Sequence, residues 1–207
     1  MTASFIIMMV TVAFVTLFPI VSATEIGCGK NVAIVVTSGE TLTLQNCSCT
    51  ALLISVSGGS PPSSFTVTVS NVQVENSIEF QGDFGQGSIT VVDSTSGVLR
   101  FGPTWALSGT VVSMNNVTIP SSTDTPGLAL RDSSLKENAK LLLSNMTINT
   151  VSATATAHPA VELSNVVLDN STISFVGSAL TSNTSDTLAT TSASAITLTN
   201  ATVSAGS

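Results

Sequence analysis

A polar pair recurs seven times along the 207-residue chain, and it limits the fold more than any other feature of the sequence. The copies are Gln45-Asn46, Ser70-Asn71, Asp93-Ser94, Asn115-Asn116, Ser144-Asn145, Ser164-Asn165 and Thr199-Asn200. With the second residue of each pair as position zero, successive copies lie 25, 23, 22, 29, 20 and 35 residues apart, which is the spacing of stacked repeats. Two residues before zero stand Leu44, Val69, Val92, Met114, Leu143, Leu163 and Leu198; four before stand Leu42, Val67, Val112, Leu141, Val161 and Ile196. One after zero come Cys47, Val72, Val117, Met146, Val166 and Ala201, and three after come Cys49, Val74, Ile119, Ile148, Leu168 and Val203. The Ser94 copy breaks the pattern, with Thr90 four before zero and Thr95 and Gly97 after it.

Each flank alternates apolar and polar residues with period two, as a half-buried strand does. Across the pair the inward positions lie three apart, so the chain has to bend there for both strands to face one core. Asn suits such a bend, because its short side chain tolerates the left-handed conformation and bonds nearby backbone. The expected fold is all-β: a right-handed parallel β-helix, a solenoid of about seven irregular coils, following an N-terminal signal helix. Stacked coils bring equivalent side chains within roughly 4.8 Å. Asn46, Asn71, Asn116, Asn145, Asn165 and Asn200 are therefore expected to form a corner ladder. Val69, Leu143, Leu163 and Leu198 are expected in one inward column, and Val72, Val117, Met146 and Val166 in another.

Composition agrees with a thin core. Ser and Thr make up 62 of 207 residues, only 4% are aromatic and 8% charged, and there is one Trp. Stacked Val, Ile and Leu can fill a narrow solenoid, whereas a globular centre needs larger side chains. From Phe5 to Val21 no charged residue occurs, and Val21-Ser22-Ala23 offers the small residues of a signal-peptidase site. The expected organisation is a signal peptide over 1–23 and one β-helix domain over 24–207, with 24–50 as cap and first coil. An uncleaved N-terminal anchor stays open as the alternative. Between the copies, Pro120 to Lys140 reads as the longest loop and carries Arg131, Lys136 and Lys140; Thr181 to Ala195 reads as a Ser/Thr/Ala insert.

The segments Val67-Thr-Val-Ser-Asn-Val-Gln-Val-Glu-Asn-Ser77 and Val161-Glu-Leu-Ser-Asn-Val-Val-Leu-Asp-Asn-Ser171 resemble coils of the dispersed gene family surface proteins of kinetoplastid parasites. The resemblance implies a long surface protein with repeated β-helical segments, adhesive roles and membrane attachment through a downstream segment.

The cysteines are Cys28, Cys47 and Cys49. Cys47 and Cys49 lie two apart on one strand at inward positions, poorly placed to bridge each other, so Cys28 is expected to pair with one of them. Six Asn-x-Ser/Thr sequons mark glycosylation candidates: Asn46, Asn116, Asn145, Asn170, Asn183 and Asn200. Asn170 and Asn183 lie off the corner position and are the better candidates; at the other four a structural role is expected.

A net charge of -7 with five Lys plus Arg leaves no basic footprint for phosphates, so no nucleic-acid partner is expected. A β-helix enzyme acting on polysaccharide needs clustered carboxylates, or calcium with a basic side chain, on one outer face. Glu75 and Asp169 share a register position but sit four copies apart, roughly 19 Å at the strand spacing. Asp93 and Glu162 are no closer in register. Neither a catalytic nor a metal site is expected, and no cofactor, since His158, the single His, stands far from any Cys. Ice or crystal-surface binding would need unbroken Thr files, but three before zero come Thr43, Thr68, Val91, Ser113, Leu142, Glu162 and Thr197. The expected function is non-enzymatic adhesion or surface display by a secreted or cell-surface glycoprotein, with a host or matrix macromolecule or carbohydrate as partner. A pectin lyase-like enzyme with lost or hidden catalytic groups is the alternative.

Overall fold

The computed structural model describes residues 24–56, 60–102, 105–123, 125–152, 158–184, 195–199 and 202–203. The expected signal helix, Asn200 and most of the Ser/Thr/Ala insert lie outside them. The described chain is all-β. Its strands are β1 Thr24–Glu25, β2 Asn31–Val36, β3 Thr41–Val56, β4 Ser63–Gln81, β5 Asp83–Phe84, β6 Gln86–Phe101, β7 Ala106–Ser108 and β8 Val111–Thr123. There follow β9 Leu128–Lys136, β10 Lys140–Ser144, β11 Thr147–Ser152, β12 Val161–Leu168, β13 Thr172–Val176, β14 Ala179–Thr184, β15 Ile196–Thr199 and β16 Thr202–Val203. Every described strand pairing is parallel. The main path runs β1, β3, β4, β6, β8, β10 and β13, each strand lying beside its equivalent in the next repeat.

The bend between strands is a left-handed residue. Asn46, Asn71, Asp93, Asn116, Asn145 and Gly177 have φ of 53°, 52°, 49°, 54°, 51° and 60°. Strand register aligns them in one column: Gln45 faces Ser70, Ser70 faces Val92, Val92 faces Asn115, Asn115 faces Ser144 and Ser144 faces Val176. The third corner is therefore Asp93, one residue before the Ser94 expected from the polar pair. With Asp93 at zero the irregular copy becomes regular: Ile89 and Val91 point inward before it, and Ser94 and Ser96 after it, all buried.

Two inward serines in an apolar column need partners, and they have them. Ser94 Oγ donates to Val92 O and accepts from Val72 N–H; Ser96 Oγ donates to Val98 O and accepts from Ile78 N–H. The pairing of β4 with β6 slips between Val74 and Ser77; Ser96 takes up the Ile78 amide just past that slip, and Ser94 takes up the Val72 amide at the corner.

Asn165 is not in the first corner column. Ser164 faces Arg131 and Val166 faces Ser133, so Asn165 stacks on Asp132, with φ of 53° and 49°. Thr199 faces Ser164, so β15 lies beside the strand that leads into that second column. The expected inward column splits accordingly. Val69, Val91, Met114, Leu143 and Phe175 form one file, while Leu130, Leu163 and Leu198 form another. Val166 likewise lies beside Ser133, away from Val72, Val117 and Met146. The 20-residue step from Asn145 to Asn165 is a walk along one repeat, not a passage to the next.

Pro120 to Lys140 is not a loop. It contains β9, which carries the corner template with Asp at zero: Leu128 and Leu130 before Asp132, then Ser133 and Leu135, all four buried. Asn170, expected off the corner, is itself at a corner with φ 48°, in a third column with Asn138 at φ 63°. The insert expected from Thr181 enters β14, which runs to Thr184 and pairs with β11.

The expected Asn ladder is a set of separate hydrogen bonds. Asn71 Nδ2 donates to Asn46 Oδ1 at 2.9 Å, Asn116 Nδ2 to Asp93 Oδ1 at 2.7 Å, and Asn145 Nδ2 to Asn115 Oδ1 at 3.0 Å. Asn165 Nδ2 donates to Asp132 Oδ1 at 2.8 Å, and Asn170 Nδ2 to Asn138 Oδ1 at 2.9 Å. These side chains are exposed, so conformation should dominate their contribution to stability. Asn116→Ala is expected to cost about 1–2 kcal/mol, the penalty for a Cβ in the left-handed region without local bonding. Asn116→Gly, which loses the same hydrogen bond but relaxes the backbone, should cost less. Thermal midpoints of the two variants check this; equal losses would place the effect in the hydrogen bond.

Candidate functional site

Two surfaces are candidates, a groove for chemistry and a flat face for contact. The groove, about 640 Å³, is lined in part by Lys30, Ser48, Gln73, Glu75, Thr95 and Ser96. It lies just past the first corner column, where outward residues of β3, β4 and β6 stand side by side: Ser48 faces Gln73, and Gln73 faces Thr95. Glu75 is the single carboxylate among its described lining residues and Lys30 the single cation. Asp169 is not in this groove. It precedes the third-column corner Asn170 and donates its backbone N–H to Leu135 O. The shared register position expected for Glu75 and Asp169 fails for the same reason as that of Asn165: the two lie on different sides of the repeat.

Asp93, Glu162 and Glu79 are engaged structurally. Asp93 accepts from Asn116, and Glu162 holds Arg131 through both carboxylate oxygens, at 3.1 Å from Nε and 2.7 Å from the guanidinium terminus. That hydrogen-bonded pair raises the Arg131 pKa above its ordinary value, the Glu162 hydrogen bond being the largest cause. Glu79 lies 3.7 Å from Arg100, a looser exposed pair. No group of three metal-ligating side chains occurs among the described residues. His158 contributes its backbone carbonyl to Thr150 and Ser182 hydroxyls.

The flat face is built by the outward residues of β3, β4, β6 and β8 before the first corner. Thr41 faces Thr66, which faces Ser88. Two residues on, Thr43 faces Thr68, Thr68 faces Thr90, and Thr90 faces Ser113. A third file holds Gln45, Ser70, Val92 and Asn115. The register of Asp93 is what completes the second file: Thr90, not Val91, occupies its outward position, and Val91 is buried. The hydroxyl array read as broken at that point therefore runs unbroken across four repeats, before Leu142 ends it. None of the residues in these three files is charged. The Thr and Ser of the first two files are half-buried, their methyl and methylene groups shielded by neighbours one strand spacing away, roughly 4.8 Å.

The six sequon asparagines divide by position. Asn46, Asn116 and Asn145 stand at the first corner column and Asn170 at the third, all exposed. Asn183 lies in β14, and Asn200 lies outside the described residues. Cys28 and Cys47 form a disulfide with Cα atoms 5.9 Å apart, which selects one of the two partners expected for Cys28. Cys49 is a buried free thiol, and its burial pushes its pKa up. No helix among the described residues is long and apolar enough to cross a membrane.

Comparison with known protein families, with curated proteins and with solved structures finds no match to this chain.

Proposed function

We propose that the chain is a right-handed parallel β-helix that acts by surface contact, as a secreted or cell-surface adhesion or display module without catalytic turnover. The observation that carries this reading is the uncharged hydroxyl face of Thr41, Thr43, Thr66, Thr68, Ser88, Thr90 and Ser113, aligned in register over successive repeats. Such a face suits an extended, weakly charged partner, a matrix macromolecule or carbohydrate, because it offers donors and acceptors at fixed spacing without a desolvated charge. The resemblance to kinetoplastid surface proteins agrees with display at a cell surface, and the disulfide agrees with an oxidising compartment. The enzyme reading is weaker, since the groove has one carboxylate where general acid and base catalysis of glycoside cleavage takes two.

One observation favours a second reading. The unbroken Thr file restores the case for an ordered hydroxylated surface, crystalline polysaccharide or ice, whose repeat the strand spacing would have to match. The same variants test both. Replacing Thr43, Thr68 and Thr90 together by Lys is expected to lower binding to matrix or host-cell glycans at least tenfold, about 1.4 kcal/mol or more. Glu75→Ala with Asp169→Ala should leave binding unchanged. Bond cleavage in polygalacturonate that this double substitution abolishes would overturn the contact reading and restore the enzyme. Thermal hysteresis lost with the triple Lys variant would instead identify ice.

A further inference from the structure

Away from the hydroxyl face, β6 and β9 bring two arginines to one groove of about 440 Å³. Leu99 faces Leu128, Arg100 faces Ala129 and Phe101 faces Leu130. Leu99, Phe101, Leu128 and Leu130 are buried, so Arg100 and Ala129 point outward, and Gly102 and Arg131 follow at the next outward positions. Arg100 and Arg131 thus stand at opposite corners of a rectangle whose other corners, Ala129 and Gly102, carry almost no side chain. With about 4.8 Å between strands and about 6.6 Å between alternate residues, the two arginine Cα atoms lie roughly 8 Å apart. Thr125, Pro126 and Asp132 also line the groove.

Each arginine has an acid on its far side, and neither acid is among the groove's described lining residues. Glu162 of β12 accepts from Arg131 Nε at 3.1 Å and from Nη2 at 2.7 Å, which leaves the Nη1 edge for the groove. Glu79 of β4 stands on the opposite flank. Its Oε1 accepts from Ser77 Oγ and lies 3.7 Å from Arg100 Nη1, beyond hydrogen-bond length, so Arg100 keeps its N–H groups for a ligand. The acids restrain the two guanidiniums from outside while the remaining donors face each other over the Ala129 and Gly102 floor. Asp132 adds an acceptor at one edge; its Oδ1 accepts from Asn165 Nδ2 at 2.8 Å.

We propose that this groove binds a sugar acid, with the carboxylate between Arg100 and Arg131 and the ring over Ala129 and Gly102. A carboxylate matches the planar donor edge of a guanidinium, and the groove is within the size range of pockets for small ligands. Asp132 selects a hydroxylated acid: a hydroxyl near the carboxylate donates to it, whereas its charge repels a more highly charged phosphate. The net charge of -7 likewise disfavours a densely charged polymer, so the fitting ligand is a glycan residue with one carboxylate. Along β6 the corner at Asp93 separates the two sites, Thr90 of the hydroxyl face lying before it and Arg100 after it, and neither site depends on the other.

Isothermal titration of the chain with glucuronic acid, N-acetylneuraminic acid, glucose and inorganic phosphate tests this. At least one sugar acid should bind, with glucose and phosphate weaker by roughly tenfold or more, and the tighter acid identifies the source of the carboxylate. Arg100→Gln and Ala129→Leu should each lower that affinity roughly tenfold or more, the first by removing donors and the second by filling the floor. Both side chains point outward, and a thermal midpoint shared with the parent chain confirms that the fold is kept. Replacing Thr43, Thr68 and Thr90 by Lys should leave the acid bound. No binding of either acid at millimolar concentration, glucose or phosphate bound as tightly, unchanged affinity in both groove variants, or loss of the acid in the triple Lys variant would each overturn the proposal.

Discussion

Phe101→Ala is expected to destabilise the fold by about 3–5 kcal/mol, the range for removing a large buried aromatic side chain and leaving its cavity. Phe101 is 2% exposed and lies between two other rings: Phe80 stacks on it at a centroid distance of 4.8 Å and 9°, and Trp105 meets it at 4.4 Å and 52°. Most of the core is aliphatic and made of narrow files, so these three rings concentrate a large share of side-chain volume at one place. Truncating the middle ring leaves both neighbours without a partner on one side, and a parallel ladder held on both edges has little freedom to collapse into the gap. Urea unfolding followed by the fluorescence of Trp105, the single Trp, measures the loss and reports on the site itself. Phe101→Leu should recover part of the stability. A midpoint for Phe101→Ala equal to that of the parent chain would show that the rings are not packed as described.

Cys28→Ser is expected to cost about 3 kcal/mol, from the loop entropy returned to the unfolded chain by opening a bridge of sequence separation 19. The loss should be local in its structural effect. The bridge ties the segment after β1 to the first corner, so its removal frees Ile26 from the core and uncovers the first end of the stack. Cys49→Ala, at a buried thiol that makes no bridge, should cost less. Thermal unfolding of both variants, with non-reducing peptide mapping of the parent chain, checks the ranking. Mapping that finds Cys28 joined to Cys49, or all three thiols free, would contradict the pairing described.

The strands were legible from period-two alternation because each inward residue enters a core that accepts only apolar or internally bonded side chains. The corners were legible at Asn46, Asn71, Asn116, Asn145 and Asn165, and misread at Asp93, Asp132 and Asn170. Asp93 and Asp132 adopt the same left-handed conformation as Asn46 or Asn165, since either short polar side chain bonds nearby groups at a positive φ. Restricting the template to Asn next to a polar residue shifted one repeat by one position and turned β9 into a supposed loop. A template of apolar residues at two and four before, and one and three after, any Asn or Asp fits Asp132 and Asn170 as they stand, with Ser allowed at one of the inward places. That signal was present. The hydroxyl face was missed by the same one-residue error, because a slip of one exchanges the inward and outward sets of a strand.

All-β architecture, a narrow aliphatic core, bends at short polar residues and a cysteine bridge near the first repeat follow from local chemistry: side-chain alternation, turn preference and spacing are properties of contiguous residues. Which corner stacks on which does not. Asn145 and Asn165 carry nearly the same flanks, yet one belongs to the first corner column and the other to the second, because hydrogen bonding between strands matches residues 18 to 35 apart according to how much chain each intervening side consumes. Insertions change that length without changing the local pattern. Only the three-dimensional pairing of backbone groups settles the register, and with it the aligned hydroxyls on one side and the separation of Glu75 from Asp169.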